Sequence, residues 1–197
     1  MTVSIAGAPP APIARPRVLM VATGFVSAAV TMFFIGLIGV YLANRRVTIH
    51  NGNLWIPDGV KVPLTQPNMM FITLLMSTVT IQWAVAAIKR DDRVNTYIAL
   101  GLTLFLGFAY LNMAAYSYTV MGFDLNTSAA AVMVYAITGA HVVVTILAMA
   151  FIVLMAFRAF GGQFTSRQHD GIVSAAMFWH TSVFAFALIW LAIYITK

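Results

Sequence analysis

The chain has 197 residues, of which 61% are hydrophobic and 8% charged, and its mean hydropathy is +0.91. About a quarter of the residues of a soluble globular domain carry charge, so this composition excludes an ordinary soluble protein, and equally a disordered chain or a coiled coil. The absence of cysteine excludes disulfides, thiolate metal sites and a catalytic thiol; the net charge of +6 rests on 11 Lys and Arg against five acidic residues, all Asp, and reads as loop charge beside lipid head groups rather than a nucleic-acid footprint.

In chain order, residues 1–17 contain Ala-Pro-Pro-Ala-Pro and Arg-Pro-Arg. Proline removes amide donors and favours extended backbone, so this stretch is expected as a weakly ordered cytoplasmic tail, followed by one membrane domain over 18–197. The apolar run after it is too long for a signal-peptide core and has no small-residue cleavage site; it is expected as a retained first span. A bilayer-spanning helix needs roughly 20 mostly apolar residues. Five stretches qualify, at about 18–43, 68–88, 94–118, 128–157 and 171–196. The alternation of a β-barrel is absent, so the fold class is an all-α membrane protein, a five-transmembrane-helix bundle.

The loops carry the charge. The segment 44–67 reads as the longest, with Arg45, Arg46, His50, Trp55 and a Pro57-Asp58-Gly59 turn. Pro67 stands where a helix tolerates a missing amide. The short charged loop Lys89-Arg90-Asp91-Asp92-Arg93 makes spans two and three antiparallel neighbours. Gly161-Gly162 ends the fourth span. With the N-terminus in the cytoplasm, Arg15, Arg17, Lys89, Arg90, Arg93, Arg158 and Arg167 fall inside, and Arg45, Arg46, Lys61 and Lys197 outside. The positive-inside rule therefore favours N-in, C-out.

Ionisable groups within spans flag function, and here only His141 and His180 qualify. At a rise of 1.5 Å per residue, His141 lies roughly 18 Å below the outer end of its span and His180 roughly 13 Å above the inner end of its own. Both fall near one level, and they face each other if their helices are adjacent. Three roles compete: neutral interhelical hydrogen bonding, a bis-histidine b-type haem site, and a lipid or proton contact. Gln82 and Asn112 read as interhelical hydrogen-bond formers. The rows Gly36-x-x-Gly39 and Gly101 to Gly107 read as points of close helix approach. Trp83, Trp179 and Trp190 read as packing and interface anchors, and the methionines of 69–76 as core filler rather than a copper site.

The residues also carry a resemblance. Tyr135-Ala136-Ile137-Thr138-Gly139-Ala140-His141 resembles the Tyr-x-x-Thr-Gly-x-His segment of haem–copper oxidase subunit III. Trp179-His180, followed by Trp190 and Tyr194, is similar to that family's last helix. Met32-Phe33-Phe34-Ile35-Gly36-Leu37 with Tyr41, Leu74 to Thr80, and Gly107-Phe108-Ala109-Tyr110 resemble segments of its earlier helices, in the same order. The length is similar to that of the short five-helix bacterial form, and the family's topology agrees with the charge count.

The resemblance implies a subunit of a terminal respiratory oxidase in the bacterial plasma membrane, with no haem or copper in this chain. The haem and copper belong to a catalytic partner subunit, against which this chain packs. His141, His180, Trp179, Thr138 and Gly139 are then structural, interhelical or lipid-contacting. Phospholipid is expected in a V-shaped cleft between spans one and two and the other three, its head group held by Arg15, Arg17, Lys89 and Arg90. The family's carboxylates and a second histidine fall at Val30, Leu111, Val183 and Val144, and a glycine at Val142, so carboxylate-linked proton roles do not carry over. Three rivals stand beside this reading: an accessory subunit of a nitric oxide reductase, an independent b-type cytochrome using His141 and His180, and a transporter, for which no inverted repeat is visible.

Overall fold

The computed structural model describes residues 17–56, 64–121 and 128–196. The tail expected over 1–17, Arg17 excepted, and the expected Pro57-Asp58-Gly59 turn lie outside these. Five long apolar helices form the protein: α1 (Val18–His50), α2 (Thr65–Ile88), α3 (Arg93–Met121), α4 (Ala129–Phe160) and α5 (Asp170–Ile189), the last continuing into a π-helical turn, Trp190–Ile195. Each is long enough to cross a bilayer.

Local chemistry sets most boundaries. Ser128 caps α4, its Oγ accepting from the Ala131 amide at 3.1 Å. At the other end α4 stops at Gly161, and Gly162 takes φ +71°, a conformation that suits glycine. The turn from α2 to α3 is tight because Asp91 adopts φ +57°, which aspartate tolerates better than most residues. Asp92 then accepts from the Asn95 amide and from Asn95 Nδ2 at 3.1 and 2.6 Å, fastening the first turn of α3. Asp91 Oδ1 accepts from the Ser166 amide at 2.6 Å, tying this turn to the α4–α5 connection.

One expected boundary moves. The first helix does not end near residue 43; it runs to His50, so Arg45, Arg46 and His50 sit on helix rather than in a loop. Charge marks where a helix leaves the lipid, but it does not break hydrogen bonding. The helix lasts until the chain turns at Gly52, φ +76°.

α5 occupies the centre. It packs on α1, α2 and α4, while α2 and α3 form an intimate antiparallel pair fastened by a 2.7 Å hydrogen bond between the Thr80 and Thr103 hydroxyls. α1 rests on α5, and less on α4, through the stripe Thr23, Ser27, Phe34 and Tyr41; it hardly touches α2. The cleft therefore does not separate α1 and α2 from the rest, as expected, because α2 belongs to the main body. It opens between α1 and α2, with α5 as its floor.

The expected close approach holds at one glycine. A Cβ on Gly107 would stand 3.0 Å from both Met149 Sδ and Trp179 Cη2, whereas Gly36, Gly39 and Gly101 have nothing within 4 Å of that position. Of the methionines in the second span, Met70 is buried, but Met69 and Met76 face outward.

Hydrogen bonds tie the helix ends together. Tyr97 Oη donates to the Ala159 carbonyl at one end; Trp190 Nε1 donates to Asn68 Oδ1 and Arg45 reaches Thr196 Oγ1 at the other. Arg17, Lys89, Arg90, Arg93, Arg158 and Arg167 thus share one end of the bundle, and Arg45 and Arg46 the opposite end.

Candidate functional site

His141 stands at the junction of three helices, fully buried. Its Nε2 lies 2.9 Å from the Ser182 carbonyl of α5, an oxygen that only accepts, so Nε2 carries the proton. In the neutral ring Nδ1 is then an acceptor, and the Tyr110 hydroxyl of α3 donates to it at 2.7 Å. The ring is enclosed by Phe34, Tyr110 and Phe186, with centroids 5.2 to 5.8 Å away. Ser182 Oγ also exchanges a 3.0 Å hydrogen bond with Thr145 of α4. Neutral histidine is the economical state here, since no carboxylate lies within the spans to pair with a charge.

Trp179, one residue before His180, is also fully buried, and its Nε1 donates to Ser77 Oγ of α2 at 2.9 Å. The bare face of Gly107 admits its ring. Thr138 accepts from Tyr118 of α3 at 2.9 Å and donates to the Val134 carbonyl of its own helix. Gly139 is half-buried, with no atom close enough to demand glycine.

His180 points elsewhere. It is half-buried on the groove between α1 and α2, beside Thr31, Gln82, Lys89, Thr181 and Phe184. The groove holds about 480 Å³ and opens over the outer face of α2 along Thr78, Val79 and Trp83. The two histidines therefore do not face one another. With both nitrogens of His141 bound to protein atoms, it has none to offer a haem iron. No cluster of three His, Asp, Glu or Cys with metal-binding geometry occurs among the described residues.

Gln82 and Asn112, expected to bond between helices, are exposed and have no hydrogen-bond partner among the described residues. Trp190 stacks on Phe71 at 4.8 Å while Trp83 lies outward. Of the expected head-group residues, Lys89 lines the groove, Arg17 and Arg90 are exposed at the same end of the bundle, and Arg15 lies outside the described residues. Val30, Leu111, Val142 and Val144 are half-buried against the cores, and Val183 is buried. Where the family resemblance implies carboxylates, this interior has hydrocarbon.

The chemistry of the junction comes from Ser182 and Thr145, which the sequence did not single out, and from Tyr110 and Ser77, which stood only within segments of the resemblance and had no role of their own. The available signal was the hydroxyl spacing on α5 and α2, which does not distinguish a bond to a neighbouring helix from a bond to the helix's own carbonyl.

The family profile described as Cytochrome c oxidase subunit III matches residues 18–197. The chain belongs to this family. It is 30% identical over 167 residues to cytochrome c oxidase subunit 3 of Coturnix japonica, covering 83% of this chain and 62% of that one. Against the protein of the same name from Pelomedusa subrufa it is 30% identical over 166 residues, 83% of this chain and 64% of the relative. Against that of Pisaster ochraceus it is 28% identical over 173 residues, 87% and 65%. The chain thus spans somewhat less than two thirds of the length of these relatives. The match includes all five helices, so the junction at His141, the Trp179 socket and the groove are features of a multi-pass membrane protein of the subunit III family.

Proposed function

We propose that this chain is a non-redox subunit of a terminal respiratory oxidase, seated in a bacterial plasma membrane with the N-terminus inside. It packs on a haem-bearing catalytic subunit, where cytochrome c oxidation and oxygen reduction take place, and it holds phospholipid. The observation that carries the reading is the family match over the whole helical part of the chain. The interior supports it: buried side chains are spent on joining helices, and His141, the most enclosed titratable ring of the spans, has both nitrogens committed. The clustering of six Arg and Lys at the end where α1 begins supports the orientation.

The groove supports the lipid role. Gln82 lies two turns, or about 10 Å, deeper than Lys89 on α2. Lys89 is placed to meet a phosphate, while Gln82 and His180 offer N–H donors to ester oxygens below it. Uncovered, such donors in hydrocarbon are costly. Purification from native membranes in mild detergent tests the assignment: the chain co-purifies with a large subunit and its visible haem spectrum. Recovery as a lone colourless chain overturns it.

A further inference from the structure

A second, smaller cavity lies apart from the groove, among α2, α3, α4, α5 and the π-helical turn. Tyr110, Ser117, Tyr118, Thr138, His141 and Tyr194 are the polar residues around it. Its free volume is about 10 Å³, the space one water molecule needs. Ser117 is 2% exposed, and its Oγ is buried with no hydrogen-bond partner. The Tyr194 hydroxyl, on a residue 1% exposed, has no protein partner among the described residues either. A buried hydroxyl left unpaired, as that of Ser117 is, is uncommon in folded proteins.

The remaining groups have complementary capacity. Tyr110 donates its proton to His141 Nδ1, and Tyr118 donates to Thr138 Oγ1. Each phenol oxygen keeps lone pairs free to accept. Thr138 has no donor left, because its proton goes to the Val134 carbonyl while it accepts from Tyr118. The cavity thus presents two donors without acceptors, Ser117 and Tyr194, and two acceptors without donors, Tyr110 and Tyr118.

We propose that this cavity binds one structural water. The water accepts from the Ser117 and Tyr194 hydroxyls and donates to the oxygens of Tyr110 and Tyr118. Four partners lie within the usual range for a buried water, and no other single small neutral group supplies two donors and two acceptors in this volume. The water extends the histidine junction outward: it joins the π-helical turn that carries Tyr194 to α3, and through Tyr110 to His141.

Two measurements on the chain within its native complex test this. In a high-resolution experimental map, an isolated peak is expected about 2.7–3.0 Å from Ser117 Oγ and from the Tyr194 hydroxyl. It is expected to vanish in Ser117→Ala with the Tyr110–His141 bond unmoved. An empty cavity with Ser117 turned back onto the Met113 carbonyl, or density larger than a water, overturns the proposal. Thermal denaturation of Ser117→Ala, Tyr194→Phe and the double variant gives the second readout. A shared water makes the double variant's melting shift smaller than the sum of the single shifts; strict additivity overturns the link.

Discussion

At the scale of single residues, His141 shows what a sequence reveals and what it conceals. Its depth follows from counting residues along an apolar run, and the structure places it inside the bundle. Its partners were not legible, because a helical residue's direction depends on how neighbouring helices rotate, and one apolar sequence is compatible with several rotations. His180, one span later at similar depth, faces the groove instead. Replacing His141 by Ala strands Tyr110 Oη and the Ser182 carbonyl. The expected cost is about 1–2 kcal/mol, the scale of an interhelical hydrogen bond, read as a lower melting temperature with the visible spectrum of the complex unchanged. Asp91 acts outside the lipid. Hydrogen bonds from Ser166, first its side chain and then its amide, hold its carboxyl below the ordinary value of 3.8, with Arg93 adding to the effect. A depressed folded value means the contribution is fully present above the unfolded value, about 3.9, and is lost as pH falls through the folded one. Between pH 5 and 8 nothing changes. Below pH 4, the protection of amides 161–169 against hydrogen exchange, taken relative to their intrinsic rates at each pH, is expected to fall. Asp91→Asn, which keeps the left-handed turn, flattens that dependence.

At the scale of elements, the number, order and type of the helices were legible because each hydrocarbon run meets the thickness of a bilayer. The end of α1 was not. Arg45 and Arg46 mark the exit from lipid, and the helix continues beyond them to His50, because neither residue disfavours helix. The cleft was misplaced for a different reason: helix adjacency in the bundle is not sequence adjacency, and the segment joining α1 to α2 is long enough to let them part. Helix contacts also separate the glycines. Gly107→Ala sets a methyl 3.0 Å from the rigid edge of Trp179 as well as from the flexible end of Met149. Overpacking of this kind costs about 1–3 kcal/mol. Gly36→Ala and Gly39→Ala meet open space and are expected to be neutral or slightly stabilising, since alanine favours helix. Parallel melting curves of the three variants in one detergent decide the comparison.

At the scale of the whole molecule, α5 is the post around which the bundle is built, and α1 is the helix least embedded in it. The groove between α1 and α2 leaves Gln82 and His180 facing outward inside the bilayer. Native mass spectrometry of the complex is expected to find phospholipid retained. Lys89→Ala is expected to reduce retention of anionic species, since one surface cation contributes about 1 kcal/mol toward such a head group. Absence of bound phospholipid in the unaltered protein removes the lipid role. The neutrality of the interior has an electrical consequence. No Lys, Arg or Asp occurs within residues 18–44, 65–88, 94–121, 129–157 or 171–196, and His141 is held by bonds that suit the uncharged ring. A transmembrane voltage exerts about 2.3 kcal/mol per 100 mV only on a charge that crosses it. These stretches hold no permanent charge, so a change of voltage finds none in them to move, and in the proposed setting the subunit is an electrically silent wall.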